Sequence, residues 1–450
     1  MRIVCVLSLL LCAGAVCVAD DAALMTLPET DGGLPGAGPI RRYDWFRKLW
    51  QQKRREFAGQ LDSKQGSVVF LGDSITQGWG PELKNSFPGM KVANRGISGD
   101  TTRGMLIRLP QDVLALKPAA VVMLMGTNDL EEGAAPEVIA ENVKLILAEL
   151  KKANPEMPVI LCSVFPSSAN KKRPADSIRQ INALYAEAVR GDDRVTLIDT
   201  YTLFADEAGD ARSAEFPDLL HPNDTGYEMW KKALTPVLAT LGFLETEPDD
   251  FQVEPGFRSL FNGRDLTGWG FLPTPEKMRK AAENWKKKDK GAPPWPIVDK
   301  AVAFDGKTAS DDGRYRAING RLVVMTPSEG RRIQQLWTTE SFGGDFVLKL
   351  EFRATPNADS GVFIREPQLQ CRDYLLAGPY KDLKNYRAQD WNELIVEVKG
   401  GTARCTCNGE VLEEEFKVPE TPGSIGLEGD RGQMEYRRIR IRQEPSPVSE

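Results

Sequence analysis

Five short, largely apolar segments alternate with amphipathic segments between residues 66 and 243, and this alternation constrains the fold more than any other feature. The apolar segments are Val68–Leu71, Lys91–Asn94, Ala120–Met125, Val159–Val164 and Val195–Asp199. The amphipathic segments predict helices at Thr102–Leu109, Pro136–Ala153, Ser177–Val189 and Tyr227–Leu241. Buried strands separated by helices are typical of a parallel sheet covered on both faces, so we predict an α/β domain.

The pattern changes in the second half of this 450-residue chain, whose length already exceeds what one core organises. Residues 244–252 are charged and contain a proline, which predicts a linker. From 253 to 443 strand segments follow one another without intervening helices, which favours a β-sandwich. These strands are Arg321–Met325, Phe346–Phe352, Gly361–Ile364, Glu393–Val398, Ala403–Cys407 and Met434–Ile441. Residues 275–296 are strongly charged and predict a solvated helix and loop, and residues 444–450 predict a disordered tail.

The first nineteen residues differ in composition from the rest. Arg2 precedes an apolar run, and small residues end at Ala19, directly before two aspartates. This pattern predicts a signal peptide and therefore a secreted or periplasmic protein. No later segment is long and apolar enough to predict a membrane span. Residues 20–65 predict a Pro/Gly-rich leader and an amphipathic helix that packs on the α/β domain.

Composition narrows the classes of function. The net charge is −6 with acids and bases well mixed, so no basic face is offered to nucleic acid. The chain has one histidine and no metal-ligand spacing, so we expect neither a metal nor another cofactor. The cysteines that follow the predicted signal are Cys162, Cys371, Cys405 and Cys407. A bridge from Cys405 or Cys407 to Cys371 and free buried thiols both stay open.

Polar residues follow the ends of several predicted strands. Ser74 lies at a predicted sharp turn, where its hydroxyl either faces a ligand or caps a helix. Gly96 either serves a turn or lets the backbone approach a ligand closely. Asn128 offers a side-chain amide, and Asp218 precedes His221 by three residues, a spacing that lets a carboxylate orient an imidazole. Because ligands bind at the carboxyl ends of parallel strands, we expect these residues to form one acyl-transfer site.

In chain order these segments resemble the four sequence blocks of SGNH (GDSL-like) hydrolases, across about residues 40–243. The stretches NRGISGDTTRGMLIRL and FPDLLHPNDTGY are most similar to the branch with platelet-activating-factor acetylhydrolase catalytic subunits and bacterial carbohydrate acetylesterases. The resemblance implies a flavodoxin-like domain in which Ser74 is the nucleophile, His221 the general base and Asp218 its orienting acid. It also implies an oxyanion hole formed by the backbone N–H groups of Ser74 and Gly96 and the amide of Asn128.

Residues 254–443 resemble 3-keto-disaccharide hydrolase-like domains, which have a concanavalin-type jelly roll. The resemblance is carried by GFRSLFNGRDLTGW, DFVLKLEFR, DSGVFIRE, WNELIVEVKG and GSIGLEGDRGQMEYRRIRIR. A long charged insertion follows Trp269, and Glu428 and Arg431 replace the family's usual Gln and His, which argues against glycosidic activity. We interpret Trp269 and Trp391 as core residues rather than sugar platforms. Candidate polar-site residues are Glu351, Arg365, Gln370 and Asp373.

Together these features predict an exported serine esterase that removes acyl groups, chiefly O-acetyl groups, from carbohydrate. The second domain is then expected to bind or process saccharide, and the expected partner is an acetylated saccharide. Two alternatives stay open. One is a lipid or lysophospholipid esterase that uses the same residues, and the other is a carbohydrate-binding surface protein whose hydrolase domain is inactive.

Overall fold

The computed structural model describes residues 25–245, 249–289, 296–325, 334–373 and 380–444. The predicted signal peptide lies outside the described residues, as do 246–248 of the predicted linker and 445–450 of the predicted tail. Among the residues described, no helix has the length and apolar character needed to cross a bilayer.

A five-stranded parallel sheet forms the centre of the first domain. Its strands are β1 Val68–Gly72, β2 Val92–Gly96, β3 Ala120–Leu124, β4 Val159–Cys162 and β5 Val195–Ile198. They are arranged in the order β2-β1-β3-β4-β5, and every neighbouring pair is parallel. The order reverses between β1 and β3, which places a topological switch point at their carboxyl ends. The predicted flavodoxin-like α/β domain is confirmed.

Helices cover both faces of this sheet. They are α1 Asp44–Ala58, α2 Ser74–Gly78, α3 Glu82–Ser86, α4 Thr102–Asp112, α5 Thr127–Glu131, α6 Pro136–Ala153, α7 Ala175–Ala188, α8 Thr200–Phe204 and α9 Asp224–Thr240. Alternate residues of β1 point to opposite faces: Val69 joins the cluster that contains Ile139, and Phe70 joins the cluster that contains Trp230. The sheet is therefore buried on both sides, as apolar strands require.

Helix α1 packs on the α/β domain, as predicted. Its buried Phe46, Trp50 and Phe57 form a separate apolar cluster with Ile97, which follows β2. A buried ion pair joins Arg54 of α1 to Asp112 at the end of α4, with Nε 3.2 Å from the carboxylate. The segment that precedes the sheet is thus held against the β2 side of the domain.

The second domain is a sandwich of two antiparallel sheets. Its strands are β6 Arg258–Ser259, β7 Trp269–Phe271, β8 Val302–Ala303, β9 Tyr315–Ile318, β10 Arg321–Val324, β11 Leu336–Thr338, β12 Phe346–Ala354, β13 Asp359–Ile364, β14 Gln368–Arg372, β15 Asn392–Lys399, β16 Thr402–Cys407, β17 Glu410–Lys417, β18 Ile425–Arg431 and β19 Met434–Gln443. One sheet runs β17-β16-β15-β12-β19-β10-β9, with β6 also paired to β19, and the other runs β14-β13-β18-β11-β7-β8. Both sheets contribute to a single core, which confirms the jelly-roll expectation.

The structure also answers two further expectations, one on the charged insertion of this domain and one on the cysteines of both domains. Helix α10 (Glu276–Lys288) has no buried residue, so the charged insertion forms a solvated helix as predicted, although residues 290–295 lie outside the described chain. The four cysteines Cys162, Cys371, Cys405 and Cys407 are buried and free, which excludes the alternative of a bridge among them.

The two domains touch through polar side chains. Asn357 of the second domain donates a hydrogen bond to Asp199 at the end of β5. Gln433 donates to Thr240 of α9 at 3.0 Å, and Arg314 lies 3.3 Å from Asp193. The contact between the domains is therefore made by hydrogen bonds and ion pairs.

Candidate active site

Ser74 is placed at the switch point by the tight turn that joins β1 to α2. Asp73 caps α2, because its carboxylate accepts a hydrogen bond from the Ile75 N–H at 2.9 Å. Gly72 passes so close to β3 that a Cβ atom there would lie 2.7 Å from the Leu124 carbonyl oxygen. The turn therefore requires glycine before it, and it leaves the Ser74 N–H, the first of the helix, without an acceptor among the described residues.

His221 and Asp218 lie on one turn that follows the last sheet strand. Leu219 between them adopts a left-handed φ of 60°, which folds the chain back on itself. Asp218 Oδ1 accepts the His221 backbone N–H at 2.7 Å, and Asp218 Oδ2 lies 2.8 Å from His221 Nδ1. His221 Nε2 lies 3.0 Å from Ser74 Oγ. The predicted residues therefore meet in one hydrogen-bonded chain of hydroxyl, imidazole and carboxylate.

The charge state of Asp218 is set by competing effects. Partial burial opposes ionisation, but the backbone N–H and the ring of His221, together with the Leu220 N–H, outweigh it, and the pKa of Asp218 is lowered. The carboxylate therefore stays ionised through the range in which an imidazole titrates. A negative Asp218 at Nδ1 keeps that proton in place and leaves Nε2 as the basic nitrogen that faces Ser74.

Besides the Ser74 N–H, two oxyanion donors were predicted, the amide of Asn128 and the N–H of Gly96, and they differ in what they offer a ligand. Asn128 gives one amide hydrogen to the Asp100 carbonyl oxygen at 3.0 Å, which leaves its second amide hydrogen for a ligand. The Gly96 N–H donates to Asn94 Oδ1 at 2.9 Å and is already used, so the structure does not support the expectation that it is an oxyanion donor. Gly99, three residues further on, has a left-handed φ of 85°, and its N–H donates to nothing in the part of the chain that is described.

A network of charged side chains holds Asn128 from the other side. Arg173 Nη2 donates to Asn128 Oδ1 at 3.1 Å and lies 2.9 Å from Glu131. Glu131 also pairs with Arg41, and these two guanidinium groups outweigh partial burial, so the pKa of Glu131 is lowered. Arg41 lies before α1. Neither Arg41 nor Arg173 could be assigned a role from the sequence, because both are far along the chain from the strand end that they support.

Buried carboxylates surround the site. Burial raises the pKa of Asp73 to about 6 and that of Asp100 to about 6, against opposing hydrogen bonds from Ile75 N–H and an ion pair with Arg108 respectively. Burial also raises the pKa of Asp129 to about 7, although Thr102 donates to it from both its hydroxyl and its N–H. These groups fix the turns that carry Ser74 and Asn128, because each caps or ties a loop at the carboxyl edge of the sheet.

The arrangement is suited to nucleophilic acyl transfer at an open surface. The side chains of His221 and Asp218 are 44% and 47% exposed, so the ester of a large molecule can reach them without entering a tunnel. No cluster of three or more potential metal ligands occurs among the described residues. A hydroxyl–imidazole–carboxylate chain at the switch point of a flavodoxin-like sheet is an arrangement suited to hydrolysis by acyl transfer.

Comparisons with known proteins agree with this class. Residues 70–229 match the GDSL-like lipase/acylhydrolase family, and residues 256–442 match the 3-keto-alpha-glucoside-1,2-lyase-like domain. The chain therefore carries a GDSL-like acylhydrolase domain followed by a 3-keto-disaccharide hydrolase-like domain. The two matched ranges do not overlap, and each falls within one of the two domains seen in the structure.

Individual relatives match the first domain. Platelet-activating factor acetylhydrolase IB subunit alpha1 of Rattus norvegicus is 28% identical over 199 residues, which are 43% of this chain and 83% of the relative. The alpha2 subunit of Homo sapiens is 27% identical over 210 residues, 45% of this chain and 88% of the relative. A solved GDSL-like lipase from Bacteroides thetaiotaomicron is 29% identical, with 42% of this chain and 97% of that chain covered and a TM-score of 0.37.

The second domain carries a polar and aromatic cluster on the outer face of its six-stranded sheet. Trp337 and Phe363 lie side by side with ring centroids 5.1 Å apart. Next to them the buried Glu428 accepts a hydrogen bond from Gln335 Nε2 at 2.8 Å and another from Gln368. We call these five residues the outer-face cluster. Of these five residues only Glu428 stood out in the sequence. Strands as short as β11 show no clear alternation, so the sequence does not tell their outward-facing residues from their inward-facing ones.

The candidate polar-site residues of this domain do not come together. Gln370 lies in β14 beside the outer-face cluster, but Glu351 lies in the other sheet, paired with Arg437 at 2.7 Å. Arg365 donates to backbone carbonyl oxygens such as that of Phe342, and the buried Asp373 accepts the Asn357 N–H, so both hold loops in place.

The two tryptophans also differ from each other. Trp269 is fully buried, as predicted, and its Nε1 donates to the Leu260 carbonyl oxygen at 2.7 Å. Trp391 is only half-buried and outside the core, contrary to the prediction, because it follows the turn before β15 rather than lying in a strand. Its ring is contacted by the guanidinium groups of Arg437 and Arg353, at 4.1 and 4.8 Å from the centroid.

Proposed function

We propose that the protein is an exported carbohydrate esterase that removes O-acetyl groups from saccharide. The observation that carries the esterase part is the continuous hydrogen-bonded chain from Ser74 Oγ through His221 to Asp218. The apolar segment before Asp20 supports export.

In this proposal Ser74 Oγ attacks the ester carbonyl carbon while His221 Nε2 accepts the hydroxyl proton. The negative oxygen of the tetrahedral intermediate is stabilised by the Ser74 N–H, the free amide hydrogen of Asn128 and the Gly99 N–H. Collapse breaks the ester C–O bond, and His221 Nε2 gives its proton to the departing sugar oxygen, which leaves as a hydroxyl group. Water activated by His221 then attacks the acetyl-enzyme, releases acetate and restores Ser74.

Saccharide is favoured as the alcohol part of the ester by both domains. The open active site suits a short acyl group on a large carrier, because half-exposed His221 lies at the surface rather than in a deep acyl tunnel. The outer-face cluster combines aromatic rings with a carboxylate and amides, the groups that commonly line sugar sites. It lies in a domain that matches a family named for a glucoside.

Loss of either central residue tests the catalytic assignment. Ser74→Ala and His221→Ala should each remove nearly all hydrolysis of p-nitrophenyl acetate, and the double variant should be little worse than either, because the residues act as one unit. Full activity in Ser74→Ala would refute the assignment.

Acyl chain length separates this proposal from a lipid esterase, the rival that the names of the relatives favour. With a series of p-nitrophenyl esters we expect the acetyl ester to have a higher kcat/KM than the octanoyl ester. A preference for octanoyl would instead support a lipid or lysophospholipid substrate. Hydrolysis of vinyl acetate is a suitable control for the p-nitrophenyl group, since this ester transfers acetyl without an aromatic leaving group.

A further inference from the structure

Two aromatic side chains stand exposed at the start of α1, in the segment that precedes the matched hydrolase domain. Tyr43 is 53% and Trp45 is 50% exposed, the highest values among the large apolar side chains found exposed in the described residues. Their rings are nearly parallel, with an interplanar angle of 14° and centroids 6.4 Å apart. Burial in the apolar cluster of α1 therefore does not account for them.

This pair lies at the edge of the candidate active site. A Cβ atom at Gly99 would lie 2.6 Å from Trp45 Cη2, so the indole ring rests directly against Gly99. The next residue, Asp100, accepts the amide hydrogen of Asn128 through its carbonyl oxygen. Trp45 therefore rests on Gly99, whose N–H is one proposed oxyanion donor, and lies one residue from the loop contact that holds Asn128, another.

Charged groups surround the rings and fix their position. Arg41, which is 7% exposed, bridges to Glu131 and Glu132 in and just after α5, the helix that carries Asn128. The Tyr43 hydroxyl lies 3.4 Å from Glu132 Oε2. An aromatic surface edged by carboxylates and a guanidinium group therefore stands beside the acyl-transfer residues.

We propose that Tyr43 and Trp45 form a platform that binds the sugar ring on the alcohol side of the scissile ester. A pyranose presents a face of C–H groups that packs on an aromatic ring, and its hydroxyl groups pair with carboxylates at the edge. The inference rests on the proposed function and assigns the substrate's ring to residues outside the 70–229 match.

Kinetics of Trp45→Ala and Trp45→Phe on two acetyl esters test the platform. Methyl 6-O-acetyl-glucoside contains a sugar ring and ethyl acetate does not. For the glycoside we expect Trp45→Ala to raise KM about tenfold with kcat unchanged, as loss of one stacking contact predicts, and Trp45→Phe to recover part of it. For ethyl acetate, which has no ring to stack, we expect the KM of both variants to be unchanged, so that the rise in KM is confined to the substrate with a sugar ring. Trp285→Ala, which removes an exposed tryptophan of α10, is the matched control and should change neither substrate.

A second measurement separates failure of the platform from failure of the proposed function. Methyl glucoside should inhibit ethyl acetate hydrolysis in the wild type, and Trp45→Ala should relieve that inhibition. An enzyme that cleaves ethyl acetate but not the acetyl glycoside would contradict the proposed function, while relief of inhibition would still support the platform. An unchanged KM and inhibition constant in Trp45→Ala would overturn the platform alone. So would a change of oligomeric state in that variant, since the pair would then be a contact between copies.

Discussion

Asn128 is held by two hydrogen bonds of opposite kind, which fix the orientation of its amide group. Its oxygen accepts from Arg173 and its nitrogen donates to the Asp100 carbonyl oxygen. A free amide flips easily, but one with its oxygen on a guanidinium and its nitrogen on a carbonyl has only one favourable orientation. Preorganisation of this kind is what makes an oxyanion donor effective, because no reorganisation is needed when charge develops.

The amide donor can be tested by two substitutions at this position. Asn128→Ala should lower kcat on the order of 10²–10³-fold with little change in KM, because the donor acts on the charged intermediate. Asn128→Asp should be equally slow, since it keeps an acceptor for Arg173 but has no N–H donor. Asn85→Ala, which alters an exposed asparagine of α3, serves as the control in the same p-nitrophenyl acetate assay. A rise in KM alone would contradict the assignment.

Most residues of the candidate site could be predicted from the sequence to lie together, and their catalytic roles stay a proposal. Ser74, Asn128, Asp218 and His221 could be predicted because strand ends of a parallel sheet meet at one edge and because an Asp three residues before a His forms a local turn. The choice between Gly96 and Gly99 could not, since it depends on whether Asn94 folds back to accept the Gly96 N–H. That hydrogen bond is a property of the loop and has no signature in the spacing of residues.

Strand β2 and helix α2 approach each other more closely than any residue except glycine permits. A Cβ atom at Gly96 would lie 2.3 Å from the Gln77 nitrogen and 2.8 Å from the Asp73 carbonyl oxygen. Both atoms are backbone, so relief requires the turn that carries Ser74 to move. The role of Gly96 is therefore to let β2 pack against the nucleophile turn.

This contact predicts an effect on both stability and rate. Gly96→Ala should destabilise the fold by about 1–3 kcal/mol, the usual cost of overpacking, and lower the thermal midpoint. It should also lower kcat on the order of 10²-fold through a small displacement of Ser74. Gly32→Ala is the matched control, because a Cβ atom there meets nothing within 4 Å. Equal melting curves and rates for the two variants would disprove the packing argument.

Helices and strands with a long hydrophobic pattern were predicted best. Helix α6 (Pro136–Ala153) was predicted with its observed ends, since eighteen residues carry a full apolar stripe. One-turn helices such as α2 and α5 were missed because five residues show no helical period, and their formation depends on the turns that precede them. Strand β2 extends to Gly96, two residues beyond its predicted end, because parallel pairing with β1 continues past the apolar run.

The interface between the two domains contains a cavity as well as polar contacts. A cavity of about 490 Å³ lies between them, lined by residues such as Asp199, Tyr201, Pro356 and Arg431. Their direct contacts, for example Asn357 to Asp199, are polar. Interfaces that are polar and incompletely packed permit relative motion of domains. If the second domain binds saccharide as proposed, such an interface would let it keep a polymer near the first domain without fixing its position.

Cutting the chain within residues 244–252 tests this arrangement. We expect unchanged activity on p-nitrophenyl acetate and lower activity on acetylated polysaccharide, because the linker keeps the two sites at a high effective concentration. The control is the uncut protein that carries the same cleavage site within residues 244–252. Equal losses on both substrates would indicate that the second domain only stabilises the first.

The imidazole of His221 can serve as a spectroscopic probe of the candidate active site. Because the 450-residue chain has no other histidine, protein made without a polyhistidine tag contains one imidazole ring, located between Ser74 and Asp218. Its two ring carbon protons give one pair of nuclear magnetic resonance signals that need no assignment by mutation. In the proposed mechanism substrate docking, acylation and product release would each alter the surroundings of that ring, so this single spectroscopic reporter would follow every stage of turnover.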